Sequence, residues 1–109
     1  MAVHQFVRIG SHSFIGGGIV TQKDIPPYIR VIQSMKRGAR PMGLNTIGLT
    51  RRGFTEDTVA ALKRAYKIVW RSGLRASDAL QQLEETLSHV EEVRLFADFI
   101  RASERGIVR

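Results

Sequence analysis

The chain has no cysteine. That excludes a disulfide framework and a thiolate metal site, and it suits a reducing, cytoplasmic setting. Apolar residues never run together for the roughly 20 positions a helix needs to cross a bilayer, so no transmembrane segment is expected. The N-terminus lacks the charged-then-apolar layout of a secretory signal. Histidine is scarce, with three residues and no His-x-x-x-His spacing, which leaves a metal site without its usual ligand pattern. Acidic residues are also few: 10 Asp and Glu stand against 17 Lys and Arg, for a formal charge of +7. A balance of that sign points to an acidic partner, whether nucleic acid, anionic lipid, a phosphorylated metabolite or an acidic protein. What is present is enough for a core, 43% hydrophobic residues in 109 positions, the size of one small domain or a piece of a larger one.

Near the N-terminus Val3, Ile9 and Ile15 recur every six residues, and Gly10 and Gly16 follow the second and third. Six fits neither the helical period of 3.6 nor the strand period of 2. It fits a left-handed parallel β-helix, in which each side of a triangular coil takes one hexapeptide with one aliphatic residue pointing inward. Three hexads, Val3–Arg8, Ile9–Phe14 and Ile15–Val20, make one coil. Gly16-Gly17-Gly18 is not a P-loop, since no Gly-Lys-Ser/Thr follows and no helix opens there. Asp24-Ile25-Pro26-Pro27-Tyr28 is expected to end the repeat, because two prolines remove ladder donors. A repeat unit is stabilised by neighbours over its open faces, so this coil reads as the last of a longer solenoid. His4, Gln5 and His12 read as polar corner residues of the coil.

From Gly43 to Phe54 the chain changes character. Asn45, three glycines and the pair Arg51-Arg52 occur there without a carboxylate. Adjacent guanidiniums offer forked donors that match phosphate oxygens in pairs, and glycines allow close backbone approach. The competing reading is a solvated basic connector. The expected organisation is a coil and its exit over residues 1–32, a connector with a phosphate-binding seam over 33–54, and a domain of about three α-helices over 55–109. The fold class is therefore α+β.

In the last stretch Thr55 is the expected N-cap, with Glu56 and Asp57 in the first turn. Val59, Leu62, Tyr66, Val69 and Trp70 share one face, and Gly73 ends that helix. A second helix starts between Arg75 and Asp78 and carries the Leu80, Leu83 and Leu87 stripe. Ser88 and Glu91 suggest a capping box for a third, whose apolar face holds Val93, Phe96, Phe99 and Ile100 and which Gly106 closes. The aromatics read as core. Lys63, Arg64, Lys67 and Arg71 lie off the apolar line and could track a phosphate backbone, the basis of a minor nucleic-acid-binding reading. Against it, that helix leads to Gly73 and the acidic pair Glu84-Glu85, not to a tight turn and recognition helix, and no exposed aromatic run offers a stacking platform.

Four strings together resemble one family: His4-Gln5-Phe6 with Arg8-Ile9-Gly10; Asp24-Ile25-Pro26-Pro27-Tyr28; Gly43-Leu44-Asn45 with Gly48-Leu49 and Arg51-Arg52-Gly53-Phe54; and Ser103-Glu104-Arg105-Gly106-Ile107. In that order they resemble the C-terminal part of the acyl-[acyl-carrier-protein]–UDP-N-acetylglucosamine O-acyltransferases, across nearly all of the chain. The resemblance implies a homotrimer with active sites between adjacent β-helices. There a 3-hydroxyacyl chain passes from acyl carrier protein to the 3-hydroxyl of UDP-N-acetylglucosamine, the first step of lipid A synthesis, without metal or organic cofactor. It places the general-base histidine in an earlier coil, so no catalytic residue is expected in these 109 positions, and His4 matches a different histidine. It implies that His4 and Gln5 line the substrate cleft and that Gly17 sets acyl-chain length. Asn45, Arg51 and Arg52 would hold the nucleotide and its phosphates, and Lys63, Arg64, Lys67 and Arg71 would dock the acidic carrier protein, with Lys36, Arg37 and Arg40 extending the same positive field. Ile47 and Thr50 stand where the family usually has glutamate and lysine. The rival reading is a standalone module that docks on acyl carrier protein or on acyltransferase subunits.

Overall fold

The computed structural model describes residues 2–3, 7–16, 20–34 and 38–109. His4, Gln5, Gly17, Lys36 and Arg37 lie outside them. Five strands come first: β1 (Ala2–Val3), β2 (Phe14–Ile15), β3 (Val20–Thr21), β4 (Ile29–Ser34) and β5 (Gly38–Leu44). Four helices follow: α1 (Thr46–Arg51), α2 (Glu56–Trp70), α3 (Ala76–Leu87) and α4 (Glu91–Ala102). Among the described residues no helix is long and apolar enough to cross a membrane.

The six-residue period becomes a stacked coil. Strand β3 lies parallel to β1 with Ala2 beside Val20 and Val3 beside Thr21, an offset of 18 residues, or three hexads. The stack does not end at the prolines, contrary to the expectation for Asp24–Tyr28. Ile25 bridges Ile9 in parallel, and β4 continues on β2 with Phe14 beside Arg30 and Ile15 beside Val31, an offset of 16 residues. The later coil is two residues shorter. Pro26 and Pro27 are tolerated because the ladder donors sit on either side of them. The Ile25 N–H donates to the Arg8 carbonyl at 2.8 Å and the Tyr28 N–H to the Ser11 carbonyl at 2.9 Å. Gly10 faces Pro27 so closely that a Cβ there would collide with the proline backbone.

Strand β5 then turns back antiparallel along β4, with Ile32 beside Arg40 and Val31 beside Pro41. Pro41 fits because β5 is the edge of the sheet β2-β4-β5.

Three helices fill residues 55–109 as the periodicity predicts, and a fourth, α1, forms inside the seam. Thr55 caps α2 by accepting the Thr58 N–H at 3.2 Å. The Ser88–Glu91 capping box does not form. Ser88 keeps helical dihedrals as the C-cap of α3, and the N-cap of α4 is Val90. The Ser88 carbonyl instead accepts from Arg94 Nη1 at 2.6 Å. Gly106 does not stop α4, which ends at Ala102. It belongs to a tail that rejoins the coil, where Asp24 bridges Ile107 and the Asp24 N–H donates to the Gly106 carbonyl at 2.9 Å. One apolar core therefore runs from Ile25, Ile29 and Val31 of the coil through Leu49, Leu62, Leu83 and Phe96 to Ile107 and Val108 of the tail.

Candidate functional site

The seam is built by a short helix that an asparagine starts. Asn45 Oδ1 accepts the Gly48 N–H at 3.3 Å, satisfying one of the orphan donors of α1. Its Nδ2 donates to the His12 carbonyl at 3.0 Å, and its N–H donates to the Tyr28 carbonyl at 2.7 Å. One residue, through its side chain and its backbone, thus ties α1 to two successive coil corners. Leu49, fully buried, anchors the other side of the helix.

Those corners stack. His12 and Tyr28 both take left-handed backbone conformations, φ 58° and 73°. Their rings lie nearly parallel at 6.0 Å, and Phe54 sets its edge to both, at 5.1 Å from His12 and 5.9 Å from Tyr28. Burial pushes the Tyr28 phenol above the usual tyrosine range, and the carboxylates of Glu92 and Glu91 add to the effect. This trio escapes a linear reading because its members meet only once the offset of the coil is known.

Arg51 closes α1 and Arg52 follows it, both exposed. Neither guanidinium has a hydrogen bond or ion pair among the described residues. A cation at a helix C-terminus is favoured by the helix dipole, which is the structural account of the pair. Two free forked donors side by side can also grip a diphosphate. Asn45 stands at the opposite end of the same helix and is spent largely on the cap and the coil. Ile47, between them, is 70% exposed.

Two basic residues of α2 and its C-cap come together. Lys63, Lys67 and Arg71 recur every four residues and rim an open groove of about 640 Å³ with Leu44, Tyr66 and Ile68 on its walls. Arg64 is exposed but points elsewhere on the helix and does not line it. The groove pairs cations with an apolar floor, an arrangement suited to an acidic partner that carries apolar contacts. The Tyr66 hydroxyl accepts the Gly43 N–H at 2.8 Å, fixing β5 against α2 at the head of this groove. The remaining aromatics are not all interior. Phe96 is buried, but Phe99 carries the Arg8 guanidinium over its ring at 4.5 Å.

The chain is similar to known proteins over nearly its whole length. Residues 24–108 match the family model described as UDP N-acetylglucosamine O-acyltransferase, domain 2. An acyl-[acyl-carrier-protein]–UDP-N-acetylglucosamine O-acyltransferase of Ectopseudomonas mendocina is 46% identical over 107 residues, covering 98% of this chain and 40% of the relative. Among solved structures, a UDP-N-acetylglucosamine acyltransferase from Bacteroides fragilis superposes with a TM-score of 0.91 at 43% identity, covering 98% of this chain and 41% of that one. The Francisella novicida UDP-N-acetylglucosamine acyltransferase does so with a TM-score of 0.91 at 40% identity, covering 98% and 38%. The chain spans about 40% of the length of the curated relatives it matches.

Proposed function

This chain belongs to the UDP-N-acetylglucosamine O-acyltransferase family through its second domain, and on that premise we propose that it serves as the C-terminal part of such an enzyme. The reaction would move a 3-hydroxyacyl chain from acyl carrier protein to the 3-hydroxyl of UDP-N-acetylglucosamine. The observation that carries the reading is the joint likeness of sequence and fold, 46% identity to one relative and a TM-score of 0.91 to a solved one, each over 98% of this chain.

Within that reading the residues divide by chemistry. Arg51 and Arg52 hold the diphosphate as paired guanidiniums, and Asn45 fixes the helix that presents them. Lys63, Lys67 and Arg71, with Arg64 beside them, attract the acidic carrier protein and hold it over the apolar floor of their groove. His4 and Gln5 line the sugar cleft and Gly17 leaves room for the acyl tail, roles that rest on the family resemblance. The general base falls in an earlier coil of the family and is assigned to none of these residues. The working enzyme would be a homotrimer that needs no metal or organic cofactor.

A chimaera tests this. The matching stretch of the Ectopseudomonas mendocina relative is replaced by this chain, and transfer of the acyl group to UDP-N-acetylglucosamine is measured. Retained transfer is expected, and its loss when Arg51 and Arg52 are both changed to alanine. A chimaera that folds and assembles like its parent but transfers nothing would overturn the reading. Carrier-protein binding persisting in that inactive chimaera would favour a docking module instead.

A further inference from the structure

A second groove, about 870 Å³, opens between the β4–β5 hairpin and the C-terminal end of α2. Three arginines from three separate places line it: Arg40 of β5, Arg71 just past α2, and Arg109 at the end of the tail. No carboxylate side chain is among the lining residues. Apart from Ser34, the remainder of the wall is mostly apolar or aromatic, chiefly Met42, Tyr66, Trp70 and Leu74.

Two observations separate this groove from a merely basic surface. Arg40 Nε is buried and has no hydrogen-bond partner among the described residues. A buried donor left unpaired costs free energy, and a bound acceptor would recover it. Of the other two arginines, Arg109 is held by its guanidinium, whose Nη2 donates to the Leu74 carbonyl at 3.4 Å, while Arg71 is exposed and is set at the groove by its position as the C-cap of α2. The Trp70 indole is likewise fixed, donating to the Val108 carbonyl at 2.8 Å. Guanidiniums recognise phosphoryl oxygens through forked donors, and a fixed indole offers a face for a planar or apolar body. The volume falls within the span of small-ligand pockets, ~300–1,000 Å³.

We propose that this groove binds a small organic phosphate, its phosphoryl head among Arg40, Arg71 and Arg109 and its apolar or planar body against Trp70 and Met42. The site is separate from the Arg51–Arg52 pair and goes beyond the acyltransferase reading. Arg71 is the one cation shared with the groove of Lys63 and Lys67, so a ligand here would also draw charge from that surface.

Trp70, the chain's only tryptophan, reports on the site directly. Its fluorescence is followed while the protein is titrated with uridine diphosphate, dodecyl phosphate and pyrophosphate, with sodium chloride at matched ionic strength as the control. A saturable change is expected with at least one organic phosphate, tighter than with pyrophosphate. Whether the nucleotide or the alkyl phosphate binds identifies the body the groove accepts. Arg40→Gln and Arg109→Ala, each with an unchanged far-UV spectrum, should each weaken that binding about tenfold, the loss expected for a charge-assisted contact. Arg51→Ala should leave the Trp70 signal alone. The proposal fails if sodium chloride gives the same response, if pyrophosphate binds as tightly as either organic phosphate, or if both groove variants bind like the parent. A signal abolished by Arg51→Ala but not by Arg40→Gln would place the ligand at the seam, ending this proposal and leaving the acyltransferase reading intact.

Discussion

Asp24 Oδ2 accepts a 2.6 Å hydrogen bond from the Ser103 hydroxyl, joining residues 79 positions apart. The other carboxylate oxygen accepts the Arg8 N–H at 2.8 Å. The Asp24 backbone pairs with the tail on both sides, donating to Gly106 and accepting from Val108 at 3.0 Å. One carboxylate, 1% exposed, thus ties the previous coil to the segment beyond α4. Polar groups in such a position are hydrogen-bonded because the alternative is costly.

Removing that acceptor should loosen the coil from the helices. Asp24→Ala leaves two donors without partners and should cost about 1–3 kcal/mol, whereas Ser103→Ala should cost about 1 kcal/mol. Urea denaturation followed by circular dichroism measures both. Equal midpoints for Asp24→Ala and the parent would show that the junction contributes nothing.

Gly10→Ala should be the more damaging change despite adding one methyl group. The new Cβ would meet the backbone of Pro27, which cannot swing aside as a side chain can. Overpacking of this kind costs about 1–3 kcal/mol or more. The expected outcome is a lowered midpoint with faster amide exchange at Ile25 and Tyr28, whose N–H groups hold the two coils together. Unchanged exchange at those amides would mean the coils can separate there without loss.

Tyr28 should ionise later in alkali than an ordinary tyrosine. Its folded-state pKa is raised by burial first and by Glu92 and Glu91 next. The native state therefore favours the neutral phenol. That stabilisation is complete below the unfolded value near 10 and is lost as pH rises through the higher folded value. Absorbance of the phenolate should show a delayed step that is missing in Tyr28→Phe, and that variant should lose stability less steeply above pH ~10. A delayed step that persists in Tyr28→Phe would contradict it.

The two proposed substrate surfaces should separate under mutation. Arg51→Ala should weaken UDP-N-acetylglucosamine binding by about 1.5–3 kcal/mol, the range for a hydrogen bond to a charged group. It should leave carrier-protein binding nearly unchanged. Charge reversal at Lys63 and Lys67 should do the opposite. Calorimetry with each partner reads both effects, and a variant that weakens both equally would merge the two sites.

Carrier-protein affinity should also fall as salt rises, since attraction between an exposed basic rim and an acidic partner is screened over ~8–10 Å near physiological ionic strength. Duplex DNA at matched ionic strength is the control, because a nucleic-acid binder follows the same trend. Tighter binding to DNA than to acyl carrier protein would return the basic stripe to the nucleic-acid reading.

Much of this architecture is decided locally and so is legible along the chain. One aliphatic residue per hexad is a local pattern, and Val3, Ile9 and Ile15 recur at an even spacing that the 18-residue ladder offset between β1 and β3 repeats. The faces of α2 and α3 and the Thr55 cap depend on residues within one or two turns of each other, as does the basic stripe of Lys63, Lys67 and Arg71. Other features were settled by partners far away. The prolines at 26 and 27 look like a stop, yet the carbonyls of Arg8 and Ser11 in the coil beneath accept the flanking N–H groups and carry the stack onward. Helix α1 has only six residues and an internal glycine, too little to nucleate alone. It exists because Asn45 is tied to His12 and Tyr28 while Leu49 is buried. Ser88 could have capped α4 by its spacing to Glu91, but the packing of Leu87 keeps it helical at the end of α3. Arg40, Arg71 and Arg109 show the same division. Their charges are plain in the sequence, but only the fold brings a hairpin, a helix end and a returning tail around one groove, because no periodicity links residues that distant.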